Sequence, residues 1–182
     1  MITIRMDNIS LTFGILLIAV LLGWVFISIF LLWTAPAGAP WLPTSRKYVR
    51  RMLTLANVQP GEVVYDLGSG DGRVLFIAAR EFGARAVGIE LDPLRCAWTR
   101  MCIALLGLQG QVRVIRGDFF NQDVSEADVV TVYLLQKTNN RLQRKLWREL
   151  HPGARIVSSV FIFPGIIPAH TDKEAHLFLY RL

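Results

Sequence analysis

The sequence predicts an α/β domain built on an open, mostly parallel sheet. Three observations predict it. Strand-like and helical runs alternate from residue 63 to residue 163, a glycine loop and a helix directly follow the first strand, and an acid ends the second strand. Parallel strands joined by right-handed crossovers account for all three observations.

Size and composition limit what the chain can be. Its 182 residues leave room for one domain and an appendage. The net charge of +6 does not by itself indicate nucleic acid, and no aromatic and basic residues interleave as in RNA-binding motifs, so we expect no nucleic-acid partner. Cys96 and Cys102 are about 9 Å apart along one predicted helix, too far for a disulfide. No Cys/His cluster has metal-ligand spacing, so no metal is expected.

An uncharged run of 23 residues, Leu11–Trp33, predicts an N-terminal transmembrane helix. As a helix it would be about 35 Å long, enough for a bilayer core of about 30 Å. A cleaved signal peptide is the rival interpretation, because Ala35-Pro36-Ala37 resembles a cleavage site. The run exceeds the roughly 7–15 apolar residues of a signal peptide, which favours a retained anchor.

Basic residues after this run predict its orientation. Four of them lie between residues 46 and 51, whereas one Arg and one Asp precede the run. By the positive-inside rule, we expect a single-pass membrane protein with its N-terminus outside and its catalytic domain on the cytoplasmic or matrix side. The expected domains are an anchor at 1–34, a linker and lid helix at 35–60, and the main domain at 61–182.

The elements follow from local signals. Thr44 or Ser45 caps the lid helix, and Asp92 caps a helix that starts at Pro93. Only one strand is expected after the fifth, so the sheet edge is predicted to be abbreviated. The expected elements are the lid helix to 57, strand 63–66, helix 74–82, strand 84–90, helix 93–106, strand 112–116, strand 127–135, helix 139–150, strand 154–163 and strand 175–182.

The glycine loop after the first strand predicts a nucleotide-binding turn. Asp66 ends the strand, and Gly68, Gly70 and Gly72 follow at every second position. Glycines let the backbone approach a ligand closely, and the following helix N-terminus supplies free N–H groups.

Glu90 and the loop acids indicate which nucleotide. Glu90 lies 24 positions after Asp66, one strand–helix–strand step away, where it can accept both ribose hydroxyls. A dinucleotide fold prefers Gly-x-Gly-x-x-Gly, and Asp66 and Asp71 would repel its phosphates. A cationic sulfonium nucleoside therefore fits better. After the third strand, Asp118 can hydrogen-bond to the amino group of an adenine, and Phe119 or Phe120 can cover the face of its ring.

These residues resemble the class I, Rossmann-like methyltransferases that use S-adenosylmethionine. A narrower resemblance covers essentially the whole chain and is to the membrane-anchored seven-strand lysine methyltransferases, which act on the c subunit of ATP synthase and on the adenine nucleotide translocase. Through DLGSG the chain is more distantly similar to Dot1-like methyltransferases. The motifs that carry the narrower resemblance are, in order, WLPT, YDLGSGDGR, GIELDP, GDFF, DVVTVYLL and ELHPGARIVS.

The resemblance implies a function and a set of site residues. It implies an S-adenosylmethionine-dependent protein-lysine N-methyltransferase whose partners are the lipid bilayer and a membrane protein that presents a lysine. It assigns Tyr133 to the methyl-transfer channel as the catalytic candidate. It implies that the following residues contact the cofactor: Thr44, Asp66, Gly68, Ser69, Gly70, Glu90, Leu91, Asp118 and Phe119.

Two departures and two alternatives accompany this interpretation. Thr131-Val132-Tyr133-Leu134 replaces the Asn-Pro-Pro-Tyr signature of nucleobase and glutamine methyltransferases, which argues against amide and exocyclic amine substrates. Ser158-Ser159-Val160-Phe161 follows where polar residues such as His-Asp are expected. The alternatives are methylation of a lipid amine or quinone, and a non-catalytic, cofactor-binding assembly factor.

Overall fold

The computed structural model describes residues 12–25, 28 and 44–182. The chain divides into two compact units, Met1–Trp41 and Leu42–Leu182, and each is described by itself. The domain boundaries predicted at residues 34 and 60 stay predictions. The second unit contains α1 (Arg46–Leu55), β1 (Val63–Leu67), α2 (Arg73–Phe82), β2 (Arg85–Glu90), α3 (Pro93–Leu105), β3 (Val112–Arg116), a 3₁₀ turn (Phe119–Asn121), β4 (Val129–Val132), α4 (Gln136–Glu149), β5 (Arg155–Ser159), β6 (His170–Asp172) and β7 (Leu177–Arg181).

The strands form one seven-stranded sheet in the order β3-β2-β1-β4-β5-β7-β6. Strands β1 to β5 are parallel to one another, whereas β7 is antiparallel to β5 and β6. The strand order reverses between β1 and β4, and ligands of such sheets bind at the carboxyl ends beside this point. The predicted mostly parallel α/β fold is confirmed.

The core lies on both faces of the sheet. Side chains alternate along β1, so that Val64 faces α1, α2 and α3, whereas Tyr65 faces α4. Local caps fix where the helices begin. Ser45 accepts a hydrogen bond from the Tyr48 N–H at 3.2 Å, and Asp92 accepts one from the Leu94 N–H at 2.8 Å, as predicted.

Several elements differ from the prediction. Strand β4 covers Val129–Val132 instead of 127–135, and the sheet edge is not abbreviated, because β6 and β7 form an antiparallel pair there. Strand β5 ends at Ser159 instead of residue 163, because Val160 has a φ of 67°, which no strand continues. Strand β6 was not predicted, since its three residues are polar, sit at the edge of the sheet and carry no hydrophobic pattern. Helix α4 begins at Gln136, three residues early, and has no capping side chain to mark its start.

The predicted transmembrane anchor and single-pass localisation are wrong. In the part of the chain that the structure describes, no helix is both long and apolar enough to cross a membrane. Residues 12–25 and residue 28 are helical. The rest of the predicted span, at 11, 26–27 and 29–33, lies outside the described residues, as does the linker at 35–43.

Candidate active site

Asp66 is a buried carboxyl at the carboxyl end of β1. Its Oδ1 accepts a hydrogen bond from the Thr131 hydroxyl of β4 at 2.7 Å. Burial raises the pKa of Asp66 to about 7, and the nearby Glu90 and Asp71 carboxylates add to the rise, while the Thr131 hydrogen bond opposes it. The side chain is therefore poised to change charge near neutral pH.

The glycine loop adopts backbone conformations that other residues avoid. Gly68, Gly70 and Gly72 have φ values of 82°, 56° and 79°. A Cβ at Gly72 would lie 2.8 Å from the Thr99 Cγ2 of α3, so the loop also packs too closely for a side chain. The predicted strand, glycine loop and helix are all present, and the loop rests directly on the end of β2.

Glu90 supports this loop through both carboxylate oxygens. Its Oε2 accepts the Gly70 N–H at 2.8 Å, and its Oε1 accepts the Asp92 N–H at 2.9 Å. A carboxylate has about four acceptor positions, so each oxygen can still accept a ligand hydroxyl. Glu90 thus joins the loop, the end of β2 and the start of α3 at one point.

Ser69 is the one loop residue whose side chain lacks a partner. Its hydroxyl oxygen is buried and makes no hydrogen bond in the structure. Gly88 of β2 leaves space for it, since a Cβ at Gly88 would lie 2.5 Å from that oxygen. A buried hydroxyl without a partner is costly, so it marks a position where a polar group is expected.

Asp71 and Arg73 connect the loop to the segment before α1. Arg73 forms an ion pair with Asp71, and its Nη1 donates a hydrogen bond to the Thr44 carbonyl. Partial burial raises the pKa of Asp71, but the hydrogen bonds from Arg73 outweigh it, and the net pKa is below the usual value. The structure therefore brings Thr44 to the glycine loop through its backbone carbonyl.

The other predicted cofactor residues lie around the ends of β2 and β3. Leu91 follows Glu90 and is exposed. The Asp118 carboxylate accepts the Phe120 N–H at 2.9 Å and caps the 3₁₀ turn. Phe119 and Phe120 are half-buried with ring centroids 4.8 Å apart, and the Arg141 guanidinium covers Phe120 at 4.4 Å. Within this pair, the Arg141 guanidinium therefore covers the Phe120 ring and not the Phe119 ring.

Tyr133 lies on the other side of the strand-order reversal, just after β4. It is exposed, and it lies near Tyr48 of α1. The Tyr48 hydroxyl donates to the Ala175 carbonyl at 2.8 Å and is 2.6 Å from the Ser159 hydroxyl at the end of β5. Burial raises the pKa of Tyr48, the Ser159 hydrogen bond opposes the rise, and Tyr133 adds to it.

The sequence did not reveal several residues that build this site. Thr131, Gly88 and Arg73 lie within the quoted motifs but were assigned no role from the sequence, although each contacts a predicted residue. Tyr48 lies in the lid helix, and its hydroxyl partners are more than 100 residues away in the chain. Only the three-dimensional fold brings them together.

Known proteins resemble this chain in sequence and structure. Residues 66–170 match the family model described as the ANTKMT methyltransferase domain. A protein-lysine N-methyltransferase of Saccharolobus islandicus is 43% identical over 135 residues, which are 74% of this chain and 84% of that protein. A crystal structure of an RNA methyltransferase from Salinibacter ruber with S-adenosyl-L-homocysteine has 41% identity and a TM-score of 0.74, and it covers 77% of this chain and 93% of that chain.

Two mouse proteins are also similar. The lysine N-methyltransferase of the ATP synthase C subunit is 32% identical over 135 residues, and the adenine nucleotide translocase lysine N-methyltransferase is 36% identical over 136 residues. Each match covers 74% of this chain, but only 54% and 58% of the mouse proteins. The resemblance stated from the motifs is confirmed, and the predicted cofactor agrees with the S-adenosylhomocysteine held by the Salinibacter relative.

Proposed function

This chain belongs to the ANTKMT methyltransferase domain family of S-adenosylmethionine-dependent methyltransferases, and we propose that it methylates a lysine side chain of a membrane protein. One observation carries the proposal. The family match runs from Asp66 through β5, so it includes both the glycine loop and the strand ends around Tyr133. Over 74% of this chain, a relative with 43% identity is a protein-lysine methyltransferase.

The cofactor half of the site fits S-adenosylmethionine. The spare acceptor positions of Glu90 suit two ribose hydroxyls, and the buried Ser69 hydroxyl awaits a polar partner. Asp66 in its charged form would pair with the ammonium group of the amino-acid tail, and Asp118 with Phe119 would receive the adenine. We propose the same role in cofactor binding for Gly68, Gly70, Leu91 and the Thr44 segment.

The substrate half must deliver a neutral amine. Bound S-adenosylmethionine supplies an electrophilic methyl group on a sulfonium. A lysine amine has a reference pKa of about 10.4, and an apolar channel lowers that pKa by disfavouring the charge. Tyr133 would orient the amine in line with the methyl group, and orientation is where a protein contributes most to such a transfer.

A fractionation assay tests the proposal. The purified chain is incubated with methyl-labelled cofactor and with membrane and soluble fractions of its own cells. We expect label on lysine, identified as methyl-lysine by mass spectrometry, in protein of the membrane fraction. Glu90→Ala serves as the impaired control. Label that ribonuclease or lipid extraction removes, with none on lysine, would instead identify an RNA or lipid methyltransferase.

We also propose that this domain works against a lipid bilayer as a peripheral protein. The outer side of α3 exposes apolar residues at helical spacing, Leu94, Trp98, Met101 and Leu105, with exposures of 79%, 53%, 47% and 77%. The only charged residues of α3 are arginines, and the chain carries a net charge of +6. Apolar side chains beside arginines suit the interface of an anionic membrane.

Vesicle sedimentation tests this surface. The full chain should bind vesicles of anionic phosphatidylglycerol and lose most of that binding in the double variant Leu94→Ser and Trp98→Ser. Ile167→Ser, which changes a residue of similar exposure away from α3, is the matched control. Undiminished binding by the double variant would assign membrane contact to another part of the chain and refute this role of α3.

A further inference from the structure

A strained turn follows β5 at the carboxyl edge of the sheet. Val160 has a φ of 67°, a left-handed conformation that β-branched residues avoid. The Phe161 N–H donates to the Ser159 carbonyl at 2.8 Å and closes a three-residue turn around Val160. Turns of this kind with a positive central φ are rare and strained.

The structure holds this turn on both sides. The buried Ser158 hydroxyl donates to the Phe161 carbonyl and accepts a hydrogen bond from the Asn139 amide of α4 at 3.0 Å. The Val160 N–H donates to the His176 carbonyl at 2.8 Å. Strained backbone persists only where its surroundings over-determine it, and such positions concentrate at functional sites.

The strain directs one apolar side chain outward. Ser158 and Ser159 are fully buried, whereas Val160 is 43% exposed. Because Val132 pairs with Ser158, the turn lies beside Tyr133, which follows Val132 in the chain. The Ser159 hydroxyl bonds to Tyr48, and Tyr48 lies near Tyr133, so the turn belongs to the substrate half of the site.

We propose that Val160 and Tyr133 line the entrance for the target lysine, and that this entrance selects a lysine with apolar neighbours in the sequence. The inference rests on the proposed function. Each strand end carries a further exposed apolar residue, Leu135 after Tyr133 and Ile162 after Val160. Helix α4 starts beside this entrance and exposes Lys137 in its first turn, with Arg141 and Arg144 further along the same stripe, so this helix would repel basic flanks.

Val160→Gly tests the entrance without endangering the fold, because glycine adopts this φ freely. The readout is the KM for two peptides, one with lysine between leucines and one with lysine between arginines. In the variant we expect the KM for the leucine peptide to rise about tenfold, the size of one lost apolar contact in a pocket. The preference between the peptides should shrink, and the affinity for S-adenosylhomocysteine should not change.

Asn57→Gly is the matched control. Asn57 also has a positive φ, 52°, but lies between α1 and β1, at the amino end of the sheet. The Asn57→Gly variant should leave the KM and the peptide preference unchanged. If Val160→Gly also leaves both unchanged in an enzyme that methylates lysine peptides, or if the wild type prefers arginine flanks, the inference is overturned alone. A wild type that methylates no lysine peptide overturns the proposed function and this inference together.

Discussion

The two halves of the sheet's carboxyl edge build their turns in different ways. Beside β1 and β2, the left-handed positions are glycines, and the stabilising contacts come from the carboxylate of Glu90 to backbone N–H groups. Directly after β5, Val160 is left-handed although it is not a glycine, and its turn is held by hydroxyl and amide side chains from α1 and α4. One half thus offers backbone and charge to a ligand, and the other offers apolar side chains.

This difference indicates how each half of the site should respond to substitutions. The glycine loop has no room for a side chain at Gly72, whereas a turn that presents a side chain can lose that side chain and keep its shape. We therefore expect substitutions in the cofactor half to affect folding and cofactor affinity. Substitutions in the substrate half should affect the choice of substrate.

The largest effect is expected from Gly72→Ala. The new Cβ would meet Thr99 and Phe76 at 2.8 and 3.0 Å, and alanine at a φ of 79° is strained. Together these terms should lower the free energy of unfolding by about 2–5 kcal/mol in urea denaturation. Gly61→Ala is the control, since Gly61 has a φ of 84° with nothing within 4 Å of its added Cβ, and it should cost only about 1–2 kcal/mol. Equal costs would show that close packing of the loop plays no part.

The pH dependence of Asp66 gives the next largest effect. Because burial raises its pKa from 3.8 to about 7, the protonated form favours the folded state. That stability is fully present below about pH 4 and is lost as pH rises through about 7, a total of up to about 4 kcal/mol. Asp66→Asn should remove this loss. The urea midpoint of the variant should therefore rise relative to that of the wild type between pH 5 and 8. Parallel curves for the two proteins would contradict the raised pKa.

The same difference explains why the sequence predicts the cofactor half of the site better than the substrate half. Asp66, the glycines and Glu90 are a short motif whose structure depends on near neighbours, and Asp92 caps α3 within its own turn. The conformation of Val160 depends on Asn139, Tyr48 and the hairpin of β6 and β7. Ser159 and Tyr48 are separated by 111 residues, and no local pattern of apolar residues encodes such a bond.

The smallest effect is expected from Tyr48→Phe. The change removes the hydroxyl that bonds to Ser159 and Ala175, and it should cost about 1–2 kcal/mol of unfolding free energy. If the Tyr48 hydroxyl also steadies the substrate half, KM for a lysine peptide should rise while the affinity for S-adenosylhomocysteine stays the same. A loss of cofactor affinity in Tyr48→Phe would mean that the two halves are not separate.

Calorimetric titration of S-adenosylhomocysteine tests the division of the site most directly. Glu90→Gln and Tyr133→Phe both remove one polar function with little change of shape, one in each half. Hydrogen bonds to a charged acceptor contribute about 1.5–3 kcal/mol each, so Glu90→Gln should weaken binding roughly tenfold or more. Tyr133→Phe should change the dissociation constant by less than about twofold. Equal weakening by the two variants, or none in a folded Glu90→Gln protein, would contradict this division of the site.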